Sequence, residues 1–185
     1  MTDAALKNKL EQLIDDPATG TTLYERIVNA PFRLNVEMAL LFLGIIVLLI
    51  VDKQTGTINR VALSKTDLAE GTLKVSPMRF EEIRIPMDEP QNVIGLAIKK
   101  DKAYLTTDWK YLFVPTLTDR QARLNQAGGG IAYSCVYPLH AGNGGALIYS
   151  YFQFEGKIRP DQRQFMKTYS AIVDRRLEKN LRANI

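Results

Sequence analysis

Residues 131–154 read IAYSCVYPLHAGNGGALIYSYFQF, and this stretch decides the fold. The segment 131–139 is apolar and rich in β-formers. It stops at His140-Ala141-Gly142-Asn143-Gly144-Gly145, a cluster that supplies the backbone freedom of a tight turn, and 146–154 returns as a second, aromatic strand. Pro160 then opens a helix. Its apolar residues Phe165, Tyr169, Ile172, Val173, Leu177 and Leu181 recur at the spacing of one helical face.

Upstream, the same kinds of signal repeat. Leu6, Leu10, Leu13 and Ile14 share a helical face, and Asp15-Asp16-Pro17 ends that helix. Thr22 and Glu25 have the spacing of a capping box, in which hydroxyl and carboxylate satisfy the free amides of a helix start. The helix that follows is expected to break at Pro31, which lacks the N–H a helix interior needs, and to resume toward Leu43. Residues 45–51 read as a buried strand, Gly56 as a turn residue and 57–63 as the returning strand. Helices are expected at 66–73, 92–99 and 117–126, the last capped by Thr118. Short strands are expected at 82–85 and 103–107. Residues 109–116 read as an irregular aromatic stretch. The sheet is then antiparallel, and strands as apolar as 45–51 and 131–139 require helices on both of its faces. This is an α/β layered architecture of the α+β type, with the long terminal helices packed on one side. Its divisions are expected at 1–20 (a helical extension), 21–178 (the domain) and 179–185 (the end of the last helix).

A chain of 185 residues is most simply one domain with a real core. Apolar content of 46% and charged content of 24% are those of a globular protein. The net charge of +4 is spread among interspersed acids and bases, without the concentrated basic face that nucleic acid requires. Residues 38–51 carry no charge but fall short of the roughly 20 apolar residues of a membrane span. No secretion signal opens the chain, and one cysteine excludes an internal disulfide, so a cytoplasmic place is expected.

Chemistry-bearing residues are few. His140 has no second ligand or nucleophile near it in sequence and reads as a solvated turn residue, with haem ligation as the alternative. Ser134 lacks the Gly-x-Ser-x-Gly setting of an exposed nucleophile. Gly128-Gly129-Gly130 lacks the Lys-Ser/Thr of a phosphate loop and reads as a mobile connection. Asp108 differs, because Trp109, Tyr111 and Phe113 follow it closely. A carboxylate beside flat aromatic faces suits a ligand with a polar edge and a planar body; the alternative is a loop pinned to the core by its aromatics. Tyr133 and Ser134 on the late strand point to opposite faces and complete the candidate set.

Five landmarks resemble those of GAF domains. They are Val51-Asp52 with Thr55-Gly56, Ile85-Pro86 with the helix 93–98, Tyr104-Leu105-Thr106-Thr107-Asp108, Val136-Tyr137-Pro138-Leu139, and Gly145-Ala146-Leu147-Ile148. They cover about 22–177. The resemblance implies a small-ligand sensor or a dimerisation module. Bilin-binding members attach pigment through a cysteine commonly followed by His, whereas Cys135 precedes Val136. The residue set of the cyclic-nucleotide binders is not traceable. Free methionine sulfoxide reductases, an enzymatic branch, rely on more than one cysteine. The expectation is a non-catalytic sensory module for an unidentified small ligand at Asp108, Trp109, Tyr111, Phe113, Ser134 and Tyr133. No cofactor is named by the sequence. A homodimer through Leu177 and Leu181 and a separate output protein or domain are expected, with no nucleic-acid partner and no membrane span.

Overall fold

The uncharged run after Phe42 makes the spine of the molecule. In the computed structural model, which describes residues 3–183, it forms β1 (Leu43–Asp52), near the middle of a six-stranded antiparallel sheet. The others are β2 (Thr57–Leu63), β3 (Arg84–Pro86), β4 (Tyr104–Thr106), β5 (Tyr133–Leu139) and β6 (Gly145–Tyr151), in the order β3-β2-β1-β6-β5-β4. Both expected hairpins form. Asp52 pairs with Thr57 across a turn in which Gly56 has φ +66°, and Leu139 pairs with Gly145. The two hairpins join along β1 and β6, where Val47 lies opposite Ile148.

Alternation gives β1 two buried faces. Ile46 and Leu48 point toward α1 (Asp3–Asp15), α2 (Leu23–Asn29), α3 (Asn35–Leu40) and α8 (Pro160–Ala183), which cover one side. Ile45, Val47, Leu49 and Val51 point to the other side, covered by α4 (Asp67–Val75), α5 (Val93–Lys100), α6 (Lys110–Phe113) and α7 (Asp119–Gly128). The expected α+β layering, with helices on both faces and the terminal helices on one, is what the chain adopts. Leu10 and Ile14 of α1 are fully buried, so the segment expected as an extension contributes to the core. Leu177 is likewise buried, while Leu181 stays exposed. Among the described residues no helix is long and apolar enough to cross a membrane.

Local signals act where the sequence puts them. The Thr22–Glu25 capping box closes, α2 ends before Pro31, and Thr118 caps α7 with Gln121 completing a second box. Residues 109–116, read as irregular, contain the single helical turn α6. The expected strand at 82–85 begins at Arg84, because Phe80–Glu82 tightens into a 3-10 turn first. The glycines read as a mobile connection are packed: Gly128 and Gly129 lie against Gly71 and Thr72 of α4. Phe42 adopts φ +59°, rare for a bulky side chain, in the tight passage from α3 into β1. Its ring meets Phe152 edge-on at 5.7 Å and carries the Arg159 guanidinium at 4.8 Å.

One irregularity positions a side chain. Leu48 pairs with Ala62 and Leu49 with Arg60, so Val61 is an extra residue bulged out of β2. Without the bulge Ile58, Arg60 and Ala62 would share a face. With it, Ala62 joins the terminal-helix side while Arg60 turns beneath Phe80 and Phe113 on the other.

Candidate functional site

β4 ends in a side-chain turn: the Thr106 hydroxyl donates to the Asp108 carbonyl at 2.9 Å and accepts from the Asp108 N–H at 3.1 Å. This leaves the Asp108 carboxylate facing α6 and α7. Its Oδ1 accepts from the Lys110 N–H at 3.0 Å, and its Oδ2 accepts from Arg123 Nε and Nη2 at 2.9 and 2.8 Å. Partial burial pushes the carboxyl upward, but the Arg123 bonds and the Lys110 N–H outweigh it and hold Asp108 below the ordinary carboxylate range.

Trp109 follows into the core and is 4% exposed. Its backbone N–H donates to Gln126 Oε1 at 2.9 Å, and Gln126 Nε2 reaches the carbonyls of Thr107 and Ile131, both at 3.0 Å. The indole Nε1–H donates to Ser134 Oγ at 2.9 Å, and Ser134 Oγ lies 2.8 Å from Ser150 Oγ on β6. Phe113 packs edge-on to the Trp109 ring at 5.3 Å, while Tyr111 stays at the surface beside Lys110.

Five of the six expected residues therefore meet on the α4–α7 side: Asp108, Trp109, Tyr111, Phe113 and Ser134. Tyr133 does not. Strand alternation sends it to the opposite face, where its hydroxyl donates to Gln162 of α8 at 2.8 Å and its ring stacks on Tyr151 at 4.8 Å. Trp109 and Phe113 fill core space, and a cleft of about 80 Å³ opens beside Tyr111, Lys110 and Glu89. Larger hollows lie elsewhere. A groove of about 450 Å³ runs between His140 and the second half of α8, and one of about 250 Å³ lies among Leu6, Met38, Leu40 and Phe165. Neither touches the Trp109 cluster.

Two arrangements had no sequence motif. Arg60 is 7% exposed; its guanidinium carbon sits 4.0 Å from the Phe80 ring centroid and 5.2 Å from that of Phe113. Burial pulls its pKa down to about 9, opposed only by the field of Glu81. The available signal was an arginine at an inward-reading position of an alternating strand. His140, expected to be solvated, is exposed yet bridged: Nδ1 lies 3.0 Å from Asp174 and Nε2 2.6 Å from Asp101. The hydrogen bonds to Asp174 and then Asp101 raise its pKa above the ordinary histidine value. No linear spacing links 101, 140 and 174, so no motif could announce them.

No protein-family model matches the chain, and no curated protein does. Solved structures do. The GAF domain of a phosphoenolpyruvate-protein phosphotransferase from Coxiella burnetii superposes with a TM-score of 0.61 at 11% identity, covering 100% of both chains. The fold is that of a GAF domain. The GAF domain of a two-component sensor histidine kinase from Bacillus halodurans is similar at 14% identity, TM-score 0.56, covering 83% of this chain and 94% of that one. So is the free methionine-R-sulfoxide reductase of Neisseria meningitidis in complex with its substrate, at 17% identity, TM-score 0.57, covering 99% and 95%. GAF-like folds thus serve both sensors and an enzyme. In this one, Cys135 is buried on the face toward α8, away from Trp109, and burial pushes its thiol up to about 12. A thiol held protonated in this way is a poor nucleophile.

Proposed function

We propose that the chain is a non-catalytic GAF-like sensory module. A small ligand binds on the α4–α7 side, at the loop of Asp108, Trp109, Tyr111 and Phe113 with Ser134. The response is relayed through α8, as a homodimer, to a separate output protein or domain. One observation carries this reading: hydrogen bonds pin both faces of the same two strands. On the ligand side Trp109 holds Ser134, which holds Ser150. On the other side Tyr133 holds Gln162, and the Tyr149 hydroxyl lies 2.8 Å from Ser170 Oγ, both on α8. A movement of the Trp109 loop therefore has a bonded route to the terminal helix, with Tyr133 serving the relay rather than the ligand. A ligand shifts such a system only through different affinities for its two arrangements.

The test is thermal unfolding of the full chain against cyclic nucleotides, amino acids, nucleobases and tetrapyrroles. A ligand at about 100 times its Kd stabilises by roughly 2.7 kcal/mol, enough to raise Tm by several degrees. Asp108→Asn is expected to weaken the hit and to lower the unliganded Tm modestly, because it gives up the partly exposed pair with Arg123.

A ligand-free dimerisation scaffold is the second reading. It is favoured by the closed packing of Trp109 and Phe113 and by Val36 and Leu40 of α3, which are 70% and 66% exposed. A flat response to the whole panel, together with a stable dimer, would establish the scaffold instead. The enzymatic alternative would depend on Cys135, and its burial and raised pKa speak against it.

A further inference from the structure

Strand alternation carries Arg60 inward on the face of Ile58, and the bulge at Val61 moves Ala62 to the other side, so a cation occupies this part of the core. Arg60 lies between two aromatic rings, and its Nε is buried with no hydrogen-bond partner among the described residues. Acids are nearby but engaged elsewhere. Glu82 pairs with the exposed Arg79 at 2.8 Å, and Glu81 approaches the same Arg79 at 3.9 Å. Burying an ion without a partner is unfavourable, and stacking on rings recovers part of that loss. An aliphatic side chain of similar length would fill the place better if filling were all the position required. What arginine adds is a planar fork of N–H donors, matched to the two oxygens of a carboxylate.

We propose that Arg60 is the receptor for the carboxylate of a small monoanionic ligand, whose two oxygens meet the N–H donors at the edge of the guanidinium once Phe80 moves aside. This rests on the sensor reading above and names the class of ligand. The charge balance favours one negative charge: a single buried cation with aromatic and aliphatic walls compensates a carboxylate, whereas a phosphate ester carries nearly two charges. The walls favour an apolar or aromatic body. The cover is light. Phe80 sits on a single 3-10 turn, and β3 beyond it is a terminal strand of three residues that pairs only with β2. Displacement of Phe80 also reaches the relay, because the second ring on Arg60 is Phe113, in contact with Trp109.

Trp109 is the only tryptophan of the chain and lies on this route, so its fluorescence reports on the site. The experiment titrates the full chain with acetate, hexanoate and benzoate, and with the neutral amides of the same acids, following Trp109 emission and Tm. The expected result is saturable binding of hexanoate or benzoate, no response to the amides, and affinity lost at least tenfold in Arg60→Lys and beyond detection in Arg60→Met. Without ligand, Arg60→Met is expected to melt no lower than the unmodified chain, which a merely structural arginine would not permit. Carboxylate binding that persists in Arg60→Met would overturn the assignment. Binding of the amides with equal affinity would also overturn it, while leaving the sensor reading in place. Silence toward acids and amides alike, and toward the wider panel above, would overturn both.

Discussion

His140 joins three elements through one ring. It sits in the β5–β6 turn, and its two nitrogens face carboxylates from α8 and from the end of α5; its own N–H also donates to Asp174 at 2.7 Å. Both carboxylates favour the imidazolium, so the folded pKa lies above the unfolded one, near 6.5. A group with a raised folded pKa stabilises fully below the unfolded pKa, and that stabilisation is lost as pH rises through the folded value. The difference in unfolding free energy between the unmodified chain and His140→Ala is therefore expected to shrink from pH 6 toward alkaline pH. The effect is modest because the ring is 65% exposed and solvent screens the pairs. Urea unfolding at a series of pH values measures it, and a pH-independent difference would dismiss the bridge. At Trp109 the matching experiment is Trp109→Phe, which keeps a ring but removes the donor to Ser134. Ser134 retains Ser150, so the lost bond is expected to cost about 0.5–1.5 kcal/mol, to which the space left by the smaller ring adds. Circular dichroism reads the loss, since the indole is gone. No loss at all would mean that the indole bond does not hold the loop.

At the scale of elements, periodicity revealed most of the structure. The apolar faces of α1 and α8, the capping boxes at Thr22 and Thr118, and the turn at Gly56 are local statements, and local physics honours them. Irregular geometry was not legible. The bulge at Val61 depends on how β1 pairs with β2 across space, and a strand read alone cannot show an extra residue. The same holds for the candidate site. The grouping of Asp108 with three aromatics was visible as a cluster. The face taken by Tyr133 required knowing which side of the sheet lies under α8, and the pairing of Asp108 with Arg123 required the placement of α7. The Gly128 region illustrates the difference. Read as a connection, it is also a contact surface: a Cβ on Gly71 would overlap the Gly128 carbonyl oxygen. Gly71→Ala is thus expected to destabilise by about 1–3 kcal/mol through overpacking, despite a gain in helix propensity of about 1 kcal/mol. A rise in Tm would show that α4 and α7 can separate at no cost.

For the whole molecule, the proposed dimer can be tested on α8 because two leucines of one stripe have different surroundings. Leu177 is 5% exposed and belongs to the core, while Leu181 is 43% exposed. Leu177→Glu is expected to abolish cooperative unfolding by burying a charge. Leu181→Glu is expected to leave the fold intact and convert a dimer to a monomer in sedimentation; a dimer that survives it would exclude this seam. The sheet itself has a consequence for how the chain comes to exist. Each hairpin closes over a short loop, but β1 finds its second neighbour only in β6, with Val47 meeting Ile148. During synthesis the uncharged segment must wait for most of the chain before that edge is covered, and long-range pairings of this kind form slowly and expose sticky edges meanwhile. The first strand to be made is among the last to be sealed.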